Sequence, residues 1–269
     1  MCKPQTENYS DVQECNGYRT FDQRTINTPM LHHIDLEKVL FLDIETVPQA
    51  EGLGELDQDF KDLWELKSKY FREQQGMNLE ESYERAGIYA EFGKIVCISV
   101  GYLSMADGSR QFRIKSFSGD DEKAILENFS ALLVSYFNRS DQQLCAHNGK
   151  EFDFPYIARR MLINGVPLPY HLDLAGKKPW EVQHLDTMAL WKFGDYKHFT
   201  SIKLLTKIFN IPTPKDDIDG SDVARVYYEE KNLPRIVEYC NKDVLAVAQI
   251  VLRFKGEELL EDDEVLILS

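Results

Sequence analysis

Residues 39–46 read VLFLDIET, an apolar run that carries two carboxylates at its end. A continuous apolar run is typical of a strand buried at the centre of a sheet. Because side chains alternate along a strand, Asp43 and Glu45 are expected to share one face while Ile44 enters the other. Two such carboxylates repel each other, and one takes up a proton unless a cation lies between them. A polar strand end is the local alternative, but α/β proteins place their sites at such strand ends.

Outside this stretch, the pattern alternates between strands and helices. A polar insertion is predicted at 49–92, with helical stretches near 57–75 and 79–90. Further strands are expected at 95–102, 111–117, 144–147 and 184–186, and further helices from residue 120 and at 154–164, 201–209, 220–230 and 233–255. The sequence therefore predicts an α/β fold, a mixed five-stranded sheet flanked by helices with a helical insertion after the first strand.

Composition and charge narrow the class of protein. The chain has 269 residues, 43% of them hydrophobic, enough to bury a core without disulfides. Its five cysteines are widely spaced and include no C-x-x-C, which argues for a reducing compartment and against a zinc ribbon. No apolar stretch has the length of a signal peptide or membrane span, so we expect a cytoplasmic protein without a membrane partner. The net charge of −14 disfavours extensive coating of nucleic acid but leaves open a small cleft that grips a strand end.

The two ends of the chain differ from its middle. Residues 1–29 are polar without sustained periodicity and are expected to be a disordered leader. Met30 is expected to be the natural first residue, which the intact mass of the native protein would test. Residues 257–269 begin with the acidic run EELLEDDEV and are expected to be an acidic C-terminal tail.

Two further polar clusters lie on the predicted helices. Residues 147–153, HNGKEFD, lead from a strand into a helix, and Asp153 has the position of a helix N-cap. Tyr239 and Asp243 are four residues apart in the last helix, so they lie on one side at the edge of its apolar stripe. Taken locally, helix capping explains the first cluster and amphipathic packing explains the second.

Together these segments supply four carboxylates, Asp43, Glu45, Asp153 and Asp243. Oxygen ligands without clustered His or Cys suit Mg²⁺ or Mn²⁺ and disfavour zinc. Two such divalent cations about 3.5–4 Å apart can activate a water and stabilise the leaving oxygen of a phosphodiester. Phosphodiester hydrolysis is the reaction class that this donor set serves best.

The order D-I-E-T, N-x3-F-D and Y-x3-D resembles the tyrosine branch of the DEDD superfamily of 3'-5' exonucleases. It is most similar to stand-alone predicted exonucleases related to the exonuclease domain of family B DNA polymerases. The resemblance implies an RNase H-like 3'-5' exonuclease domain over residues 30–256. It also implies metal binding by the four acids and orientation of the attacking water by Tyr239. Asn148 and Phe152 would line the terminal nucleotide, and the backbone of Thr46 would approach the 3' end.

The resemblance leaves the substrate open. A nucleic acid 3' end, with DNA favoured over RNA, is the expected partner, because exoribonucleases of this branch usually carry a more basic surface. A 3'-5' exoribonuclease and a catalytically silent nucleic-acid-binding module on the same fold are the alternatives. No partner protein is predicted.

Other residues near these motifs have simpler expectations. Asp186 is expected to make a structural hydrogen bond, and His147 to be a satisfied histidine rather than a base. Residues 215–221 are expected to form a turn that caps the next helix. A group of basic residues could track phosphates or form a solvated helical face: Lys150, Lys192, Lys197, His198, Lys203, Lys207 and Lys215.

Overall fold

The computed structural model describes residues 30–106, 108–195, 197, 199–212 and 218–268. The expected leader at 1–29 lies outside the described residues, as do His198 and Lys215. The strands are β1 (Val39–Pro48), β2 (Gly93–Ala106), β3 (Ser109–Ser118), β4 (Gln143–Ala146), β5 (Leu185–Asp186) and β6 (Val265–Leu268). The helices are α1 (Gln58–Gln75), α2 (Leu79–Tyr83), α3 (Glu122–Tyr136), α4 (Asp153–Ile163), α5 (Thr187–Trp191), α6 (Ile202–Ile208), α7 (Val223–Tyr228) and α8 (Leu233–Lys255).

The strands form one mixed sheet in the order β5-β4-β1-β2-β3-β6. β1, β2 and β3 pair antiparallel, whereas β4 joins β1, β5 joins β4 and β6 joins β3 in parallel. The mixed α/β architecture is therefore confirmed, with β1 at the centre. Different helices cover the two faces of the sheet, and alternate residues of β1 pack into the two cores that result. Leu40, Leu42 and Ile44 pack with α3 and α4, whereas Val39 and Phe41 pack with α8.

The predicted number of five strands is wrong, because the sheet has six. The sixth strand lies inside the segment expected to be an acidic tail, where residues 265–268 pair with residues 112–115 of β3. Arg110 holds the connecting segment through bonds to the Glu264 carboxylate and to the carbonyl oxygens of Glu258 and Leu259. Three of the four residues in β6 are exposed, so this edge strand lacks the alternation that marks a buried one.

The insertion between β1 and β2 carries its own small core. Trp64 of α1 is fully buried among Tyr83, Phe92 and other aromatic rings, and its Nε1 donates to Ser82 Oγ at 3.0 Å. The helical character predicted for the insertion is confirmed, although α2 ends at Tyr83. The Tyr156 hydroxyl of α4 donates to the Gly87 carbonyl at 2.7 Å, which fixes the end of the insertion against the sheet.

A buried ion pair joins α3, α4 and the insertion. Arg160 Nε donates to Glu122 Oε1 at 2.8 Å, and Arg160 Nη1 donates to the Ala90 carbonyl at 2.8 Å. Glu122 also accepts from the backbone N–H of Ile95 at 2.8 Å. Both charged side chains are only 8% exposed, so each depends on the other to compensate its buried charge.

Replacing Arg160 with Met is expected to lower the free energy of unfolding by about 3–5 kcal/mol, because it leaves the Glu122 carboxylate buried without its partner. Urea denaturation followed by circular dichroism measures the change. Lys123→Met is the matched control, since Lys123 forms only an exposed pair with Glu127 at 3.9 Å. That control should change stability by less than about 1 kcal/mol. Equal effects of the two substitutions would contradict the assignment.

None of the helices within the described residues combines the length and apolar character needed to cross a membrane.

Candidate active site

Asp43 and Glu45 occupy the face of β1 that turns towards α8. They follow Phe41 at two-residue spacing, and the register with β2 shifts between Glu45 and Thr46. Cys240 of α8 meets them there, with its Sγ 3.4 Å from Asp43 Oδ2. One ligand atom from each of Asp43, Glu45 and Cys240 lies within 4.8 Å of the other two. Two strand carboxylates and one helix thiol therefore form the tightest part of the site.

Asp153 is the first residue of α4 and is 3% exposed. The turn before it is tight, because Asn148 has a φ of 63°. Gly149 follows, and a Cβ there would lie 2.5 Å from the Cβ of Ala146. Only glycine fits at that position. The turn brings Asp153 within electrostatic range of Asp43, Glu45 and Asp243.

Tyr239 and Asp243 lie one helical turn apart on α8 and face the same opening. A cleft of about 540 Å³ is lined by both of them together with Asp43, Glu45, Thr46 and Phe152. Asp153 and Asn148 are not among its lining residues; Asp153 is buried beside it. Six of the eight predicted site residues thus line the cleft and Asp153 lies beside them, whereas Asn148 is not part of the lining.

The acids of the site disfavour one another's ionisation. Burial, followed by the charges of Glu45, Asp243 and Asp153, raises the pKa of Asp43 well above its ordinary range. Burial and Asp243 do the same to the pKa of Glu45. Burial raises the pKa of Asp153 to about 7, with Asp186 and Asp243 adding to the effect. A group of buried carboxylates held this close would be stabilised by a bound cation.

A family described as predicted 3'-5' exonucleases related to the exonuclease domain of PolB matches residues 88–262, which is more than half of the chain. The chain belongs to this family. The matched region contains Asp153, Tyr239 and Asp243, whereas Asp43 and Glu45 precede it. The mixed sheet with helices on both faces is the RNase H-like fold expected of such an exonuclease.

Several DNA polymerases are also similar to the chain. A DNA polymerase of Pyrococcus glycovorans is 24% identical over 170 residues, which cover 58% of this chain and 20% of the polymerase. A DNA polymerase of Desulfurococcus sp. (strain Tok) is 22% identical over 183 residues, covering 61% and 23%. DNA polymerase 1 of Pyrococcus abyssi is 23% identical over 180 residues, covering 61% and 23%. The chain thus spans about a fifth of the length of the curated relatives that it matches.

The expectation of a structural role for Asp186 is confirmed. One of its carboxylate oxygens accepts from the backbone N–H of Asn148 at 3.0 Å, and the other from that of Lys150 at 3.1 Å. It also caps α5 by accepting from Met188 and Ala189. His147 is satisfied as expected, because its ring nitrogens contact Thr187 Oγ1 at 2.8 Å and the Thr200 carbonyl at 2.9 Å.

Sequence reasoning missed two features of the site. The first is Cys240, which has the spacing of the apolar stripe of α8, so its position in the sequence does not predict that its thiol contacts Asp43. The second is the end of the insertion, which contributes Glu84, Arg85, Gly87 and Ile88 to the cleft lining. Their position depends on the contact between Tyr156 and Gly87, which no local pattern encodes.

The raised pKa of Asp153 predicts a pH-dependent stability in the absence of divalent cations. The unfolded chain releases this proton near its ordinary value of 3.8, whereas the folded chain holds it until about pH 7. The resulting stabilisation is complete below pH 4 and is lost as the pH rises through 7. Asp153→Asn cannot lose that proton. In EDTA, its stability relative to wild type should therefore rise by about 2–4 kcal/mol between pH 5 and pH 8.

Urea denaturation of both proteins at each pH measures this difference. The variant is compared with wild type because other groups also change the stability with pH. Burial lowers the pKa of His147 and His184, so their contribution to stability grows as the pH rises, opposite to that of Asp153. Glu127→Gln on the exposed face of α3 is the control and should follow wild type. A variant curve parallel to wild type across this range would rule out the raised pKa.

Proposed function

We propose that the chain is a metal-dependent 3'-5' exonuclease that hydrolyses phosphodiester bonds from the 3' end of nucleic acid, with single-stranded DNA as its substrate. The observation that carries this proposal is the convergence of Asp43, Glu45, Asp243 and Tyr239 on one cleft, with Asp153 buried beside it. These residues come from β1, α4 and α8, far apart in the sequence. Their convergence in a member of an exonuclease family supports a shared chemical role.

The donor set fits two divalent cations, Mg²⁺ or Mn²⁺. Asp43, Glu45, Asp153 and Asp243 would hold them, since hard cations prefer carboxylate oxygens. When bound, such ions supply a water nucleophile of lowered pKa and stabilise the charge of the leaving oxygen. The raised pKa values of Asp43 and Glu45 support this assignment, because acids that repel one another have the most to gain from a cation.

Other residues of the cleft would position the reactants. Burial, with a contribution from Asp243, raises the pKa of Tyr239, so its hydroxyl keeps its proton at neutral pH. A neutral hydroxyl can hold the attacking water by hydrogen bonding. Thr46 and Phe152 would bind the terminal nucleotide, since both line the cleft beside the acids. Asn148 would also line the terminal nucleotide, with its backbone held by the bond from its N–H to Asp186.

The described cysteines support a cytoplasmic location. Cys97, Cys145 and Cys240 are free thiols buried in the fold, as expected of a protein in a reducing compartment.

Asp43→Ala and Asp243→Ala are each expected to reduce Mn²⁺-dependent shortening of a 5'-labelled single-stranded DNA by at least about 1000-fold, because each removes a cation ligand. Denaturing gels of the shortening ladder measure the rate. Glu238→Ala is the matched control on α8, since Glu238 is 69% exposed and pairs with Lys242 on the surface of the same helix. Full activity in either aspartate variant would overturn the proposal. Preferential shortening of an RNA strand would assign the substrate to RNA instead.

Tyr239→Phe is expected to slow the same reaction by about 10–100-fold, less than the loss of an acid, because it removes only a water-positioning hydroxyl. Single-turnover rates at saturating Mn²⁺ separate this effect from weakened cation binding. Tyr228→Phe serves as the control, because Tyr228 donates to the Pro48 carbonyl outside the group of acids. Equal rates for Tyr239→Phe and wild type would remove the tyrosine from the mechanism.

A further inference from the structure

A second cavity, of about 580 Å³, lies on the other side of the first turns of α4. Its wall is mainly apolar and comes from α4 and from the segment before β5: Leu162, Leu168, Leu172, Leu174, Pro179 and Val182. The candidate active site does not use it. A concave apolar wall of this size can enclose a flat ring such as a nucleobase.

Four cations border this cavity, although the chain as a whole carries a net charge of −14. They are Lys150, Arg159, Lys177 and Lys192. Lys192 pairs with Glu151 at 3.7 Å, and the Lys150 ammonium donates to the Val182 carbonyl at 2.9 Å. Across the part of the chain that the structure describes, Lys150, Arg159 and Lys177 form no ion pair with a carboxylate.

The same lining holds two acids, Glu151 and Asp186, against the four cations. Glu151 is the partner of Lys192, and Asp186 lies within electrostatic range of Lys150, so the excess charge lies with Arg159 and Lys177. The border of the cavity therefore has an excess of positive charge around an apolar wall. Charge of this sign next to an apolar cavity with room for a base is complementary to a nucleotide, whose base is flat and whose phosphate is anionic.

The cavity and the cleft are lined by neighbouring residues of the chain at the start of α4. Phe152 lines the cleft, whereas its neighbour Glu151 and the nearby Pro155 line the cavity. Only the start of α4, which carries Asp153, separates the two. A strand whose 3' end enters the cleft can therefore reach the cavity with a nucleotide farther from that end.

We propose that this cavity binds an unstacked nucleotide of the substrate strand, upstream of the bond that is cut, with its base against the apolar wall and its phosphates at Arg159 and Lys177. The proposal rests on the proposed exonuclease function and extends it to a single-stranded substrate longer than the cleft. An acidic peptide would also suit the cations. The strand is favoured because residues at the start of α4 that line the cavity are chain neighbours of Phe152, which lines the cleft where a 3' end would lie.

Binding tests the contribution of the cations. The variant Arg159→Gln/Lys177→Gln is made in an Asp43→Ala background so that the probe, a fluorescein-labelled 20-nucleotide DNA strand, stays intact. Two exposed cations away from the cavity give the matched control, Lys69→Gln/Lys123→Gln. Loss of two phosphate contacts should reduce the slope of log Kd against log salt by about 1.4, since a single strand loses about 0.7 per contact. The control should keep the parent slope.

Activity separates this proposal from the exonuclease proposal. The same pairs of substitutions, now with Asp43 intact, are assayed with Mn²⁺ on the 20-nucleotide strand and on the p-nitrophenyl ester of thymidine 5'-phosphate. The ester carries one nucleotide and reports on the cleft alone. For the Arg159/Lys177 variant, kcat/KM on the strand should fall about 10-fold more than on the ester.

If wild type hydrolyses neither substrate, both proposals fail. If wild type hydrolyses both, and the Arg159/Lys177 variant matches the control in binding and in turnover, the nucleotide site is overturned while the nuclease stands. The cavity would then suit an acidic peptide instead.

Discussion

Electrostatic repulsion among buried carboxylates is the constraint on which this structure depends. Glu45 and Asp153 are buried and Asp43 is half-buried beside them, so water screens their charges poorly, and Asp243 adds a fourth acidic group nearby. Such groups separate unless the backbone holds them. β1 provides that rigidity, because it is hydrogen-bonded to β2 on one side and β4 on the other and is packed on both faces. Asp153 gains further support from its place at the positive end of α4.

The loop before α4 is held as firmly as the strand. Asp186 accepts four backbone N–H groups, from two residues of that loop and two of α5. His147 ties the same region to Thr200. These bonds lie outside the cleft, yet they fix the turn that directs Asp153 towards the other acids. Asp186, which does not line the cleft, thus helps to fix the geometry of the acids at the cleft.

Much of this arrangement could be predicted from the sequence where a local pattern determines the outcome. The shared face of Asp43 and Glu45 follows from the two-residue period of a strand, and α8 ends where Gly256 adopts a left-handed conformation. Short elements at the edges were missed or miscounted, because β6 and the five-residue α5 depend on partners distant in sequence. The thiol of Cys240 and the contribution of Arg85 to the cleft were missed for the same reason. Which side of a helix meets a strand is set by packing and not by spacing.

The position of β6 also determines where the chain can be truncated without exposing a strand edge. The sequence suggests an end near Gly256, but residues 265–268 cover part of the outer edge of β3. A fragment that stopped at residue 256 would leave the ten-residue β3 with unpaired N–H and C=O groups along that edge. Such an edge is a template for pairing with another chain. The C-terminal segment that looks dispensable is therefore part of the sheet, and the open edge of the intact protein belongs to the four residues of β6 instead of the ten of β3.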